Sequence, residues 1–322
     1  MRLLRSLFGL ALALCGASAM SSAQDFPSRP IKLVVGFAPG GSTDYMARLL
    51  ADRLRQELGQ PVLVENRTGA NGSLGAEFVA KSEPDGYTLY LTTAGVATVY
   101  PHLKPAPYDT LRDFVGVGRV AYNSTMLVVN AAMPVGSARD LAALARKTPG
   151  KITIAITGLG SVSHLGAELF QSAAGIKLVE VPYRGAAPAM TDLLGGQLDA
   201  LFGDGPTVIA QIRAGQIKAL AAISHQRSEI FPGVPTFLEQ GFADTVADQW
   251  AGVLAPAKTP PAVVARLNAA IAKVMSEPEV RAKLAQTGVV PATDTPAEFG
   301  KYLADEYARW GRIIREKGIS AE

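Results

Sequence analysis

Two loops of this chain combine glycines, which leave backbone N–H groups accessible, with serine and threonine hydroxyls. They are Pro39-Gly-Gly-Ser-Thr-Asp44 and Gly158-Leu-Gly-Ser-Val-Ser-His164, and they lie more than a hundred residues apart. Each follows a short apolar strand and precedes an amphipathic helix, so its N–H groups would lie at the positive end of a helix dipole, where anions bind. Two such loops in similar modules predict two lobes that close on one small anion.

The candidate binding residues lie in and beside these loops. Asp44 could bind an amino group on the ligand or only cap the following helix, and we favour capping. His164 has no second histidine or acid beside it in sequence, and we favour a structural role for it. The candidate ligand-binding residues are Phe37, Pro39, Gly40, Gly41, Ser42, Thr43, Asp44, Thr93, Ala94, Gly160, Ser161, Ser163, His164, Tyr183, Gly185, Ala186 and Asp204.

The elements that must position these residues alternate strand and helix. In the first module, apolar runs and helical periodicity predict strands at Ile31–Gly36, Pro61–Glu65 and Tyr87–Thr92, with helices at Tyr45–Leu58 and Ser73–Lys81. Because βαβ crossovers are right-handed, these strands are predicted to form a parallel sheet. The apolar stretch Phe114–Val129 has a polar interruption, and we predict that it leaves one lobe and continues into the other.

The second module repeats the pattern. Its predicted strands are Ile152–Ile156, Leu178–Pro182, Ala200–Phe202 and Ile217–Ile223, and its predicted helices are Leu165–Ala173, Ala187–Leu194 and Val208–Ala214. Beyond Pro261 we predict helices without strands of their own, which return to cover the first lobe. The chain then crosses between lobes twice, which gives a hinge. The predicted organisation is a signal peptide at 1–23, a first lobe at 24–122 and 238–322, and a second lobe at 123–237.

The N-terminus has the features of a secretory signal peptide. A basic start precedes the short apolar run Leu7–Leu14, and small residues follow at Ala17-Ser-Ala19 and Ser21-Ser-Ala23. The run is shorter than the ~20 apolar residues that span a bilayer, so we predict cleavage rather than a membrane anchor. Cleavage after Ala23 is preferred, cleavage after Ala19 stays open, and the mature protein is predicted to be periplasmic.

Composition argues against several function classes. Cys15 is the only cysteine and lies in the segment to be removed, so the mature chain would have no disulfide, thiol nucleophile or cysteine-ligated metal. The net charge of +3 falls to +1 without Arg2 and Arg5, and no basic run indicates a nucleic-acid partner. The sequence contains no Gly-x-Ser-x-Gly elbow, His-Glu-x-x-His zinc site or P-loop. We therefore predict no catalytic residue, no cofactor and no metal.

A series of short motifs runs through nearly all of the mature chain. They are Gly36-Phe-Ala-Pro-Gly-Gly-Ser-Thr-Asp44, Val64-Glu-Asn-Arg67, Glu83-Pro-Asp-Gly-Tyr87, Gly160-Ser-Val-Ser-His-Leu165, Val181-Pro-Tyr-Arg-Gly-Ala-Ala-Pro188, Asp192-Leu-Leu-Gly-Gly-Gln-Leu-Asp199, Ile212-Arg-Ala-Gly215 and Trp250-Ala-Gly-Val-Leu-Ala-Pro256. Each is weak alone. In this order and spacing they resemble the Bug family of extracytoplasmic solute receptors, the binding proteins of tripartite tricarboxylate transporters.

The resemblance implies an α/β fold of the Venus-flytrap, type II periplasmic-binding-protein kind: two lobes, each a mostly parallel sheet flanked by helices, with two hinge crossings. It implies a small carboxylated ligand held by backbone amides, hydroxyls and bridging waters, so Arg184 is expected to face outward. The implied partners are this ligand and the permease subunits of a tripartite transporter, with a monomeric receptor. Relatives often carry His and Asn after the third strand and an acid at position 203. This chain has neither feature, so the ligand's identity stays open.

We favour a periplasmic receptor for a di- or tricarboxylate or an acidic amino acid. A ligand-sensing partner of a two-component kinase would bind in the same way without transport. A periplasmic enzyme acting on an organic acid is a third alternative, and it would turn its ligand over.

Overall fold

The computed structural model describes residues 26–123, 125–158, 160–183, 185–228 and 230–319. The signal peptide expected at 1–23 lies outside these residues, as does Arg184. Within them the chain forms two α/β lobes, each built on one sheet. No helix in the described ranges is long and apolar enough to cross a membrane.

The first lobe begins with two βαβ units. Its elements are β1 (Ile31–Val35), α1 (Ser42–Leu58), β2 (Val62–Asn66), α2 (Ser73–Ala80) and β3 (Thr88–Thr93), then a π-helix (Gly95–Val99), α3 (Tyr100–Leu103), α4 (Thr110–Asp113) and β4 (Phe114–Asn123). Strand β1 pairs in parallel with both β2 and β3, as predicted. Helix α1 buries Met46, Leu50 and Leu54 and ends at Gly59, whose left-handed backbone lets its N–H bond back to the Arg55 carbonyl.

The second lobe follows directly. Its elements are β5 (Thr125–Asn130), α5 (Ala138–Lys147), β6 (Thr153–Ile156), α6 (Val162–Ala174), β7 (Val179–Pro182), α7 (Ala186–Leu194), β8 (Ala200–Asp204), α8 (Gly205–Arg213) and β9 (Ile217–Ala222). The strand order in its sheet is β7-β6-β8-β5-β9. The stretch predicted to pass from one lobe to the other is β4 and β5, and the structure confirms that passage.

The chain then returns to complete the first lobe. The returning elements are β10 (Gln249–Pro256), α9 (Pro261–Ser276), α10 (Pro278–Gln286), β11 (Val289–Pro291) and α11 (Pro296–Lys317), and the strand order becomes β11-β4-β10-β3-β1-β2. The prediction that helices alone follow Pro261 was wrong, because β11 pairs antiparallel with β4. Three residues carry too little periodicity to reveal a strand whose partner lies far back in the chain.

Both sheets are mixed rather than mostly parallel. Strand β10 runs antiparallel to β3 and β4, and β5 runs antiparallel to β8 and β9. These strands carry the chain between the lobes, so they enter each sheet against the direction of its βαβ strands. The predicted two-lobed α/β fold is confirmed with this correction.

The two crossings lie close together. Strand β4 ends at Asn123 and β5 begins at Thr125. On the return, Phe237 and Phe242 still pack against Phe170 of α6, and the Ala247 N–H donates to a carbonyl of the second lobe. Because β10 joins the first sheet at its next residues, we propose that the second crossing lies at about Asp248.

Candidate ligand-binding site

The first loop begins α1 without a side-chain cap. Gly41 is the N-cap residue in an extended conformation, and no side chain accepts a hydrogen bond from the first turn in the manner of a cap. Gly40 has a φ of +87°, a left-handed conformation that glycine adopts without steric cost. Pro39 and Ser42 are exposed, and Thr43 is half-buried. The N–H groups at the positive end of this 17-residue helix are therefore open to an anion.

Asp44 is buried, and its carboxylate bonds within the first lobe. It accepts hydrogen bonds from the Gly40 N–H at 2.9 Å, from Arg48 Nε at 2.9 Å and Nη2 at 3.0 Å, and from Asn66 Nδ2 at 2.9 Å. Hydrogen bonding to Arg48 lowers the pKa of Asp44 to about 2, against the opposing effect of burial. Asp44 thus fixes the loop from inside the helix, and its charge is compensated by Arg48.

Phe37 stands at the base of the same loop. Its side chain is half-buried and packs against the apolar clusters on both faces of the first sheet. Its carbonyl accepts from Asn66 Nδ2 at 2.9 Å, so Asn66 ties together the strand end and Asp44.

The second loop engages its polar side chains within itself. Ser161 is the N-cap of α6 and accepts from the His164 N–H at 3.3 Å. Ser163 Oγ accepts from the Thr157 N–H at 2.8 Å and lies 2.9 Å from Thr157 Oγ1 and 2.8 Å from Ser161 Oγ. Ser163 is only 4% exposed and His164 only 2%. These hydroxyls therefore set the shape of the loop.

This second loop lies against the first lobe. A methyl group placed on Gly160 would come within 2.8 Å of Leu103 Cδ1, and one on Gly95 within 3.1 Å of the Gly160 carbonyl oxygen. A methyl group on Gly158 would lie 3.3 Å from Asn71 Oδ1. Glycine at these positions lets the backbones of the two lobes approach each other. The wall they approach continues from Thr93 and Ala94, which are both buried.

A small cavity of about 40 Å³ lies between the lobes beside the crossing strands. It brings together four of the predicted residues, Ser42, Thr43, Thr93 and Asp204, whereas the other candidates lie outside its described lining. The lining residues that sequence reasoning missed are Tyr45, Met46, Ala121, Asn123, Pro206, Gln249, Trp250, Ala251 and Val289. Most belong to strands that pass between the lobes, and any such strand must border the cleft.

The candidates from Tyr183 to Asp204 lie at or beside the starts of α7 and α8. Asp204 caps α8, accepting from the Thr207 N–H at 3.3 Å. Gly185 begins α7 with a φ of +113° and no side-chain cap, and Ala186 after it is half-buried. The Tyr183 hydroxyl donates to Asp192 Oδ2 at 2.7 Å, a bond that raises the pKa of Tyr183 to about 12.

One group of side chains has the spacing of a metal site. His164, Glu168 and Glu180 each offer a donor atom, and these atoms lie within 4.8 Å of one another. However, His164 Nδ1 accepts from the Gly160 N–H at 3.0 Å, so the proton of the neutral ring lies on Nε2, the nitrogen that faces the carboxylates. A ligating nitrogen needs a free lone pair, and this tautomer therefore does not fit a metal ion. Glu168 four residues after His164 was visible in the sequence, whereas the approach of Glu180 depends on the fold.

Comparison with known proteins identifies the family to which this chain belongs. The model of the tripartite tricarboxylate transporter family receptor matches residues 46–319. The chain belongs to this family. Protein BugT of Bordetella pertussis is 40% identical over 317 residues, which cover 98% of this chain and 97% of BugT.

Solved structures of the receptor family agree. Rpa4515 of R. palustris, determined with adipate, superposes with a TM-score of 0.85 at 33% identity, covering 92% of this chain and 99% of that one. MatC (Rpa3494) of Rhodopseudomonas palustris, determined with bound malate, superposes with a TM-score of 0.82 at 30% identity, covering 90% and 100%. The resemblance to Bug proteins is thereby confirmed. The chain is a solute-binding receptor of this family, and its relatives are binding proteins rather than enzymes.

Proposed function

We propose that this receptor captures a small dicarboxylate in the periplasm and delivers it to the permease subunits of a tripartite transporter. The observation that carries the proposal is that, among the helices that begin without a side-chain cap, one in each lobe starts at a candidate binding loop: α1 after Gly41 and α7 after Gly185. Both follow the carboxyl end of a sheet strand, the edge where open α/β sheets bind ligands. Two anion sites in different lobes suit a ligand with a carboxylate at each end.

The charges near the first loop support binding through amides and hydroxyls. The loops 39–44 and 158–163 contain no lysine or arginine. Arg48 is paired with Asp44 and so does not offer an uncompensated charge. The first carboxylate would then be held by the N–H groups of Ser42 and Thr43 and by the Thr43 hydroxyl. Such a site selects by the number and direction of ligand oxygens and needs no metal ion.

The ligands of two relatives support a dicarboxylate. Adipate and malate, found in Rpa4515 and MatC, each have two carboxylates joined by a short carbon chain. An acidic amino acid is a second candidate, because Asp204 lines the cavity and could bind an ammonium group. Asp44 no longer supports that alternative, since its carboxylate is already held by Arg48, Asn66 and Gly40.

A thermal-shift screen tests the proposal. The purified mature protein is heated with succinate, malate, adipate, citrate, aspartate, propionate, glucose or putrescine, with and without EDTA. We expect stabilisation by one or more dicarboxylates, of about 2.7 kcal/mol at a hundredfold excess over Kd, and no change with EDTA. Stabilisation by aspartate alone would favour the amino-acid alternative. Stabilisation only by glucose or putrescine, or loss of binding with EDTA, would contradict the proposal.

Cellular location and partners need separate measurements. N-terminal sequencing of the protein from a periplasmic extract is expected to start at Gln24, which follows Ala23. Light scattering is expected to give the mass of one chain, and cross-linking in cells is expected to capture permease subunits when the dicarboxylate is present. Capture of a membrane kinase instead would support a sensing role.

A further inference from the structure

Behind the second loop, two half-buried glutamates lie close to the buried side chain of a histidine. His164 Nε2 lies 3.8 Å from Glu180 Oε2 and 4.0 Å from Glu168 Oε1, while its Nδ1 holds the Gly160 N–H. Glu180 is further fixed by Gln171 Nε2 at 2.9 Å, and Gln171 in turn accepts from the Leu178 N–H at 2.7 Å. The imidazole therefore lies between the carboxyl pair and the backbone of the second loop, to which its Nδ1 is hydrogen-bonded.

The carboxyl groups of Glu168 and Glu180 are adjacent and partly shielded from solvent, so ionising both at once is unfavourable. Burial raises the pKa of Glu168, and burial together with the charge of Glu168 raises the pKa of Glu180 to about 7. Burial also lowers the pKa of His164, so the ring tends to stay neutral and does not supply a compensating charge. One proton held by the pair removes the repulsion between the two groups.

The charged groups that face the cluster come from α6, β7, the turn between them and α11. On α6 they are His164 and Glu168, and on β7 the group is Glu180. Lys177, in the turn between α6 and β7, lines the same surface pocket as both glutamates. From α11, Lys317 Nζ bonds to Ser172 Oγ at 3.0 Å on the edge of that pocket. Among the described residues, neither lysine forms an ion pair with Glu168 or Glu180, so the pair depends on a proton.

We propose that Glu168 and Glu180 share one proton, and that His164 transmits the loss of this proton to the Gly160 backbone, making anion affinity pH-dependent. When the proton leaves, the Nε2–H group is drawn toward a doubly charged pair and the ring becomes a stronger acceptor for the Gly160 N–H. The second loop, which lies against the first lobe, then presents a more negative potential to an anion bound between the lobes. The additional negative charge also lies within roughly one Debye length, ~8–10 Å, of the loop. Both effects weaken anion binding as pH rises.

The pH dependence has a defined direction. The native pKa of Glu180, about 7, lies above its ordinary value of 4.5, so the folded protein holds a proton that the unfolded chain has lost. The contribution to stability is present below about pH 4.5 and is lost as pH rises through about 7. For the affinity, which rests on the proposed function, we expect a three- to tenfold weaker dicarboxylate complex at pH 8 than at pH 6, because one added charge acts at this distance.

The first experiment needs no ligand. In ¹⁵N-labelled mature protein, the Gly160 amide resonance is followed from pH 5 to 8.5 in the wild type, Glu180→Gln, His164→Gln and the exposed control Glu316→Gln. We expect a transition near pH 7 in the wild type and the control, and none in Glu180→Gln or His164→Gln. In ¹³C-glutamate spectra, His164→Gln should still show a carboxyl group that titrates near pH 7. Ordinary titration of both glutamates, or a Gly160 transition that survives Glu180→Gln, would overturn the proposal.

The second experiment measures affinity. Calorimetry with adipate and with malate is carried out at pH 6 and pH 8, where both ligands are mainly dianions. We expect the wild type to bind more weakly at pH 8 and Glu180→Gln to bind equally at both values. Equal wild-type affinities overturn the link to the ligand even if the proton is shared. If neither compound binds, the proposed function fails for these ligands, while the Gly160 titration still decides whether the proton is shared and transmitted. Calorimetric binding of one Zn²⁺ per chain that Glu180→Gln abolishes would replace the proton by a metal ion and overturn the proposal.

Discussion

The two glycine-rich loops share one sequence pattern but differ in what their side chains do. In the first loop the backbone at Gly41 and Ser42 is exposed, and the only buried polar side chain, Asp44, is held by Arg48 and Asn66. In the second loop Ser161 and Ser163 bond to one another and to the loop backbone. The first loop thus presents backbone N–H groups, and the buried carboxylate of Asp44 stabilises it through hydrogen bonds. The second is a network of hydroxyls braced by a histidine.

The difference teaches that glycine, serine and threonine in a loop do not by themselves identify ligand contacts. A hydroxyl that is 4% exposed and has three partners, as in Ser163, contributes to the loop's shape. We propose that a half-buried hydroxyl beside an uncapped helix start, as in Thr43, contacts the ligand. Substitutions in the two loops should therefore separate stability from affinity.

The largest effect is expected for Asp44→Ala. It removes the acceptor of several hydrogen bonds, including those from the Arg48 guanidinium, and leaves the Gly40 N–H without this partner. We expect the free energy of unfolding at pH 7 to fall by about 2–4 kcal/mol and dicarboxylate affinity to fall with it. Urea unfolding followed by circular dichroism measures the change.

The control for this variant is Asp52→Ala, which alters an exposed acid on the same helix and should change stability by less than about 0.5 kcal/mol. Because the native pKa of Asp44 is about 2, below its ordinary 3.8, its stabilisation is complete above about pH 4 and is lost as pH falls toward 2. The gap between wild type and Asp44→Ala should therefore narrow between pH 4 and pH 2. A constant gap would mean that the carboxylate's charge is not what braces the loop.

Ser163→Ala should have the next largest effect, and mainly on stability. The half-buried Thr157 loses the Ser163 partner of its N–H group, so we expect the free energy of unfolding to fall by about 1–3 kcal/mol. Affinity measured on the folded variant should change by less than about threefold. The exposed Ser172→Ala on the same helix serves as the control. A large loss of affinity with unchanged stability would show that Ser163 contacts the ligand and that the two loops act alike.

Thr43→Ala should show the reverse pattern. Loss of one hydroxyl bond to a charged carboxylate predicts about tenfold weaker binding, roughly 1.4 kcal/mol, with near wild-type stability. Calorimetry gives the affinity and thermal melts give the stability. Thr43→Ser, which keeps the hydroxyl, should restore most of the affinity, and failure of this rescue would point to the methyl group instead.

The smallest effect is expected for Tyr183→Phe. This variant tests whether side-chain hydrogen bonds also stabilise the loop before α7. The variant loses the bond from the Tyr183 hydroxyl to Asp192 and should cost about 0.5–1.5 kcal/mol of stability. We expect dicarboxylate affinity to stay within about twofold of the wild type. A tenfold loss in a titration would place the hydroxyl at the ligand.

Most of this fold can be predicted from the sequence, because local hydrophobic periodicity identifies the strands and helices of the βαβ units. It missed β11, a three-residue strand paired with β4, and it missed α5 even though Ser137 is a suitable N-cap before Leu141 and Ala145. The loops themselves were located from sequence. Their internal bonding was not, because Asn66 reaches Asp44 and Glu180 reaches His164 only after separate elements have packed.

The order of strands in the first sheet also governs how the chain can acquire its structure. The second lobe is one continuous stretch from Thr125 to about Ala247, whereas the first sheet is incomplete until β10 inserts between β3 and β4. Contacts that join distant segments form late, because their loop-closure entropy must be overcome first. We expect a chain ending at Ala247 to fold its second lobe and to leave β3 and β4 as open edges that recruit other chains. Strand β10 thus converts an aggregation-prone half-sheet into a continuous one.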